Sequence, residues 1–299
     1  MRAYAGRKGI IMRRTLWIAA GAIVLGATLL LAAGVLTAGE LPPGVLQGWA
    51  SYVKATEQRI AAELRAGKGF LALDFQPGAE AAGERRALLA GVISIKKMIS
   101  YDPSGGKIVL SGGIAHHWRG SVFIPGAKLE GIISRVLNPT AADMQQQDVL
   151  QWRVLERDHD SLKIFLKLQR SKFVTVVYNT EHEVRVQRYG KDRASSTSVA
   201  TRIAELEAPN SSREREKPEG QDHGFLWRMN SYWRYEQVSG GVIVECESVT
   251  LSRTVPFFLE PLIHSLIEST ARESLERTLA SMRSRHQTLL PPRREEAVN

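Results

Sequence analysis

The spacing of apolar residues changes several times along the chain, and each change marks an element. Residues 16–38 form a run of 23 without a charge, long enough to cross a bilayer core. Glu40-Leu41-Pro42-Pro43 ends it. Trp49, Val53, Thr56, Ile60 and Leu64 then recur at helical spacing and predict an amphipathic helix over 45–66, closed by Gly67 and Gly69. Residues 70–75 read as a short strand, 76–83 as a loop and 84–90 as one further helical turn. A turn at 102–106, Asp-Pro-Ser-Gly-Gly, precedes extended runs at 107–111 and 114–124, so a hairpin is expected there. Leu129, Ile132, Ile133, Val136 and Leu137 make a short helical stripe between Pro125 and Asn138-Pro139.

Beyond residue 140 the period shortens. Segments 149–156, 162–168, 173–188, 195–207, 225–237 and 242–251 are rich in β-branched and aromatic residues and are joined by polar or glycine turns, the pattern of an antiparallel meander. Residues 208–222 are a long polar insertion between two strands and read as a surface loop. Leu259, Ile263, Ile267, Ala271, Leu275, Leu279 and Met282 predict a long closing helix that begins near Pro256. The tail from 287 reads as disordered.

Strand alternation assigns faces. Val174, Val176, Tyr178, Thr180, His182, Val184 and Val186 share an inward face. Leu162, Ile164, Leu166 and Leu168 form a second inward row, and Val242, Val244, Cys246 and Ser248 another. In 225–235, Phe225, Trp227, Met229, Trp233 and Tyr235 are expected against the core. Arg228, Asn230, Tyr232 and Arg234 are then expected on the outer, solvent-facing side. Several inward positions are small or polar, which leaves room for an internal space under the last helix.

This order of elements resembles the helix-grip fold of the START-like (SRPBCC) superfamily over roughly residues 107–285. Residues 239–247, SGGVIVECE, and 252–256, SRTVP, are similar to its last hairpin, last strand and entry to the final helix. The resemblance implies an α+β fold, an antiparallel sheet wrapped on a long C-terminal helix, with a hydrophobic cavity between them. It transfers no catalytic residue. The expected organisation is a basic leader with a transmembrane or signal segment (1–39), a helical extension with short strands (40–106), the START-like domain (107–286) and the tail (287–299).

Charge changes this picture little. The formal +9 falls to +4 for residues 40–299, which hold 35 basic and 31 acidic residues, because the leader carries Arg2, Arg7, Lys8, Arg13 and Arg14 and no acid. That balance, with no basic stripe interleaved with stacking aromatics, argues against nucleic acid as a partner. The basic flank keeps the N-terminus cytoplasmic and sends the remainder across the membrane. The domain is therefore expected either tethered outside as a single-pass protein or, since Thr37-Ala38-Gly39 fits a cleavage site, secreted to the periplasm.

Candidate chemistry is sparse. One cysteine, Cys246, excludes an internal disulfide or a multi-thiolate metal site. His116 and His117 are adjacent on a strand and point to opposite faces, so they do not chelate together. No phosphate loop, GxSxG or HExxH occurs. No cofactor, metal or catalytic residue is assigned. The expected function is a binding protein for a lipid or other apolar small molecule. Its cavity would be lined by Val176, Tyr178, His182, Trp227, Met229, Trp233, Cys246, Ile263 and Ile267. A cyclase-like or hydrolytic enzyme using Tyr178 and His182, and a structural envelope protein with a filled core, are the competing readings.

Overall fold

The computed structural model describes residues 44–171, 175–218, 220–254 and 260–288, with side chains of the final helix described over 269–286. The apolar run 16–38, the side chains of Ile263 and Ile267, and the expected tail beyond 288 lie outside the described residues; residues 287 and 288, expected as the start of that tail, belong to the last helix. Among the described residues no helix is long and apolar enough to cross a membrane.

The described chain opens with α1 (Val45–Arg65), a 3₁₀ turn (Ala72–Phe75) and α2 (Gly78–Leu89), then β1 (Ser94–Lys97) and β2 (Gly113–Pro125). Two short helices, α3 (Leu129–Leu137) and α4 (Ala141–Met144), follow. Next come β3 (Val149–Arg157), β4 (Ser161–Ser171), β5 (Thr175–Arg188), β6 (Arg193–Glu207), β7 (Arg215–Glu216), β8 (Arg228–Val238) and β9 (Gly241–Arg253). Helix α5 (Glu260–Thr288) ends the described chain. The sheet runs β1-β2-β9-β8-β6-β5-β4-β3, antiparallel throughout, with β7 paired to β6 off this path. The six segments expected as a meander thus form one, in order.

Helix α5 seats on one face, here the inner face. Leu275 and Leu279 pack with Val122, Val244, Cys246 and Tyr235. Gly120 admits them: a Cβ there would lie 2.6 Å from Leu279 Cδ1 and 3.0 Å from Leu275 Cδ2. At the β8–β9 turn, a Cβ on Gly241 would collide with the Ile124 carbonyl oxygen and lie 2.8 Å from the Phe123 ring. Backbone cannot retreat as a flexible side chain can. Gly241→Ala is therefore expected to cost at least about 1–3 kcal/mol in urea denaturation, and an unchanged midpoint would show that the β2–β9 ladder opens freely there.

Three local expectations are corrected. Residues 70–75 are not a strand: Asp74 accepts the Phe70 and Leu71 N–H groups at 2.8 and 3.0 Å, and Glu245 accepts those of Ala72 and Leu73 at 2.5 and 3.2 Å. Carboxylates, not a ladder, hold this backbone. Helix α2 is a full helix that starts at Gly78, within the expected loop. Residues 107–111 pair only at a single bridge, Tyr101 with Lys107, and the strand opposite β2 is β1. The turn at Asp102 does form, with its carboxylate accepting from the N–H groups of Ser104 and Gly106.

The largest correction concerns the outer face. Asn230, Tyr232 and Arg234 were expected in solvent, but they are 6%, 4% and 2% exposed. Helices α1 and α2 and the 3₁₀ turn cover them. Two apolar clusters flank the covered surface, one around Trp49, Tyr52, Val249 and Leu251, the other around Phe70, Leu73, Leu88 and Ile243. Between them lies a buried ionic network. Glu247 is bonded by Arg59 and lies 3.2 Å from His117 Nε2. Arg234 reaches Glu63 at 2.5 Å and the Phe70 carbonyl at 3.0 Å. Arg119 grips both oxygens of Glu84 at 2.8 Å, and Arg85 bridges Asp74 and Glu236 at 2.6 and 2.8 Å. Burial opposes ionisation of Glu247, yet the His117 bond and the guanidinium charges of Arg59 and Arg234 outweigh it and set its pKa at about 2.

Candidate functional site

The registers carry continuous rows across the inner face. One row runs Leu162, Val184, Ser198, Ser231, Ser248 and Trp118. A second runs Ile164, His182 and Ala200. The centre of the face is lined by serines and alanine, which are small, while its flanks are aliphatic and aromatic. Leu166, Val184, Ile203, Met229, Trp233 and Thr250 keep partial exposure on this face. The opposite face of β8 and β9 is almost wholly buried. The half-open surface of these central strands is therefore the one that carries α5.

The expected cavity residues fall as follows. Val176, Tyr178 and His182 follow one another on the inner side of β5, all at 7% exposure or less. Met229 and Trp233 lie on β8, and Trp233 is opposite Cys246. Trp227 precedes β8, so strand alternation does not govern it: it packs with Val45, Trp49 and Leu251 of the cluster under α1 and meets Tyr178 only at the cleft described below. Ile263 and Ile267 are outside the described side chains. The two adjacent histidines point apart, His116 Nε2 to Ser252 Oγ at 2.9 Å and His117 to Tyr52 and Glu247.

The inner polar groups are quiet chemically. Burial lowers the His182 pKa to about 4, so its imidazole is neutral near pH 7. Its Nε2 lies 3.0 Å from Thr180 Oγ1, whose hydroxyl donates to the Leu166 carbonyl at 3.0 Å. Burial pushes the Cys246 thiol well up, and Glu247 and Glu245 add to the shift, so it stays protonated and unreactive. Two groups are exceptions: among the described residues neither the buried Tyr178 hydroxyl nor the buried Trp118 Nε1 has a hydrogen-bond partner, a costly state unless something else binds it.

Tyr178 also lines a cleft of about 410 Å³ between β6 and the segment leading into β8, with Ile203, Glu205, Lys217, Asp222 and Trp227. Glu205, 3% exposed, accepts from Lys217 Nζ at 2.5 Å and from the His223 N–H at 2.9 Å. Asp222 accepts from Trp227 Nε1 at 3.0 Å. Arg202 pairs with Glu216. The cations that meet Glu205 and Glu207 come from the insertion, Lys217 for Glu205 and Arg215 for Glu207, because β7 folds that loop back along β6.

No protein-family model and no curated protein matches the sequence. Among solved structures, the chain is similar to the STAR-related lipid transfer protein of Xanthomonas axonopodis at 16% identity and a TM-score of 0.41, covering 64% of this chain and 98% of that one. It is similar to the lipid transfer and protein localization domain of human StarD13 at 12% identity and a TM-score of 0.42, covering 72% and 100%. A START superfamily protein of Mycobacterium smegmatis matches at 11% identity and a TM-score of 0.38, covering 60% and 100%. At these identities the likeness says nothing about what this chain binds. What the described residues themselves give is an antiparallel sheet with α5 along its inner face.

Proposed function

We propose that the protein is a binding protein for a lipid or other apolar small molecule, held on the inner face of the sheet beside α5. The observation that carries this reading is the partial exposure of Leu166, Val184, Ile203, Met229 and Trp233 on that face, while the outer face of the central strands is sealed. An apolar surface left open on the concealed side of a fold is stabilised by an apolar occupant that displaces its water. The basic flank and uncharged run of residues 2–38 support delivery of the domain across the membrane, tethered or released. Binding is favoured over turnover because His182 has a hydroxyl partner and, among the described residues, no carboxylate bonded to it, and Cys246 stays a thiol.

Organic extraction of the purified full chain, followed by mass spectrometry, is expected to release a near-stoichiometric apolar molecule. Trp233→Arg, which puts a charge on this face, is expected to reduce the yield at least about tenfold. Equal yields from both proteins, or no apolar molecule from either, would remove the proposal.

A further inference from the structure

The cleft at Tyr178 is an interruption of the sheet. Pairing of β6 with β8 stops where Val199 faces Asn230, and pairing with β7 begins where Leu206 faces Glu216. The Lys217 N–H reaches the Glu205 carbonyl at 2.8 Å. Over residues 200–204 the β8-side edge of β6 therefore faces the cleft and no strand among those described. Residues from both faces line it, Tyr178 and Ile203 from the inner side and Thr201 and Arg228 from the other, so the opening connects the inner face with the outside. An uncovered strand edge offers alternating N–H donors and carbonyl acceptors.

The charges there balance. Arg202 is matched by Glu216 and Lys217 by Glu205. The remaining two are one of each sign: Arg228, which donates one N–H to the Trp227 carbonyl at 2.7 Å, and Asp222, which accepts from Trp227 Nε1 and the Gly224 N–H. An ionic group of either sign entering the cleft would upset this balance and sit near a like charge. A neutral group would not.

We propose that this gap between β6 and β8 holds the head of an amphiphilic ligand, an uncharged group rich in hydroxyls or amides, with its chain lying along Ile203, Met229 and Trp233. Tyr178 donates its otherwise unpartnered hydroxyl to an acceptor of the head, and the β6 edge supplies donors and acceptors beside it. Burial, with the carboxylates of Glu205 and Asp222 adding to it, raises the phenol pKa well above its ordinary value and keeps it a donor.

This inference rests on the binding reading above, and the test separates the two. The full chain is titrated with monoolein, with oleate, with lysophosphatidic acid and with the headless probe diphenylhexatriene. Monoolein is expected to bind at least about tenfold more tightly than oleate or lysophosphatidic acid, since an unmatched charge near a buried site costs more than a lost neutral bond. Tyr178→Phe removes only the hydroxyl and is expected to weaken monoolein roughly three- to tenfold while leaving diphenylhexatriene unchanged. Charged lipids binding as tightly as monoolein, or monoolein binding equally to the Phe variant, would overturn the head assignment and leave the apolar site standing. Failure of monoolein and diphenylhexatriene alike would overturn both.

Discussion

Glu247→Ala is expected to destabilise the protein by about 3–5 kcal/mol, read as a drop in the denaturation midpoint with little change in slope. The reason is what the substitution leaves behind. Glu247 is 1% exposed and bonded by Arg59, and it faces His117 at 3.2 Å and Arg234 at 3.7 Å. Arg234 is itself 2% exposed, so removing the carboxylate leaves Glu63 as the one anion facing two guanidinium groups, Arg59 and Arg234. His117 loses the acceptor that orients its ring, and with it the relay in which the Ser100 N–H donates to the Tyr52 hydroxyl at 3.1 Å and Tyr52 meets His117 Nδ1 at 3.2 Å. In thermal unfolding the same loss corresponds to roughly 6–15 °C. A loss under about 1 kcal/mol, the range of a surface pair, would show that α1 stands off the sheet and water reaches the network.

Acid is expected to weaken the protein in two stages, the upper tied to buried His182 and the lower to buried carboxylates, Glu247 together with Glu84, both held at a pKa of about 2. The His182 pKa is lowered to about 4 by burial, against about 6.5 in an unfolded chain. The folded state thus refuses a proton that the unfolded chain accepts. Stability from this site is complete above pH 6.5 and is lost as pH falls towards 4, by roughly 3 kcal/mol in all. The Glu247 pKa is lowered to about 2, so its contribution is present above about pH 4.5 and is lost as pH falls from there towards 2. His182→Gln has no titrating ring and is expected to flatten the upper stage while leaving the lower one. Urea midpoints measured between pH 7 and 4 decide this. A parallel decline in the variant and the parent would mean that His182 is not the group that titrates.

Much of the fold is legible because strands and helices announce themselves by period. The meander over 149–251 and the stripe of the last helix follow from local alternation alone, and the inward rows at Leu162 and Tyr178 follow from knowing that side chains on a strand alternate. Residues 70–75 mislead because their backbone partner is Glu245, more than 170 residues away, and no local pattern encodes that bond. Helix α2 hides because alanine, glycine and arginine give it almost no apolar stripe, and only Glu84 and Leu88 of the helix are buried. The cleft hides for a related reason. Tyr178, Glu205, Lys217 and Asp222 sit on three separate elements, and nothing in their spacing says that β6 outruns β8.

Alternation along 225–238 established that Asn230, Tyr232 and Arg234 share one face and Met229 and Trp233 the other. It could not establish which face meets water, because that depends on what lies above each. Local sequence thus determined the strands, their sidedness and the final helix. The tertiary structure alone decided that the polar side would be sealed under α1 and α2, where arginines and carboxylates neutralise one another, and that the aromatic side would remain partly open. Burial belongs to the assembled layers, whereas periodicity belongs to the chain.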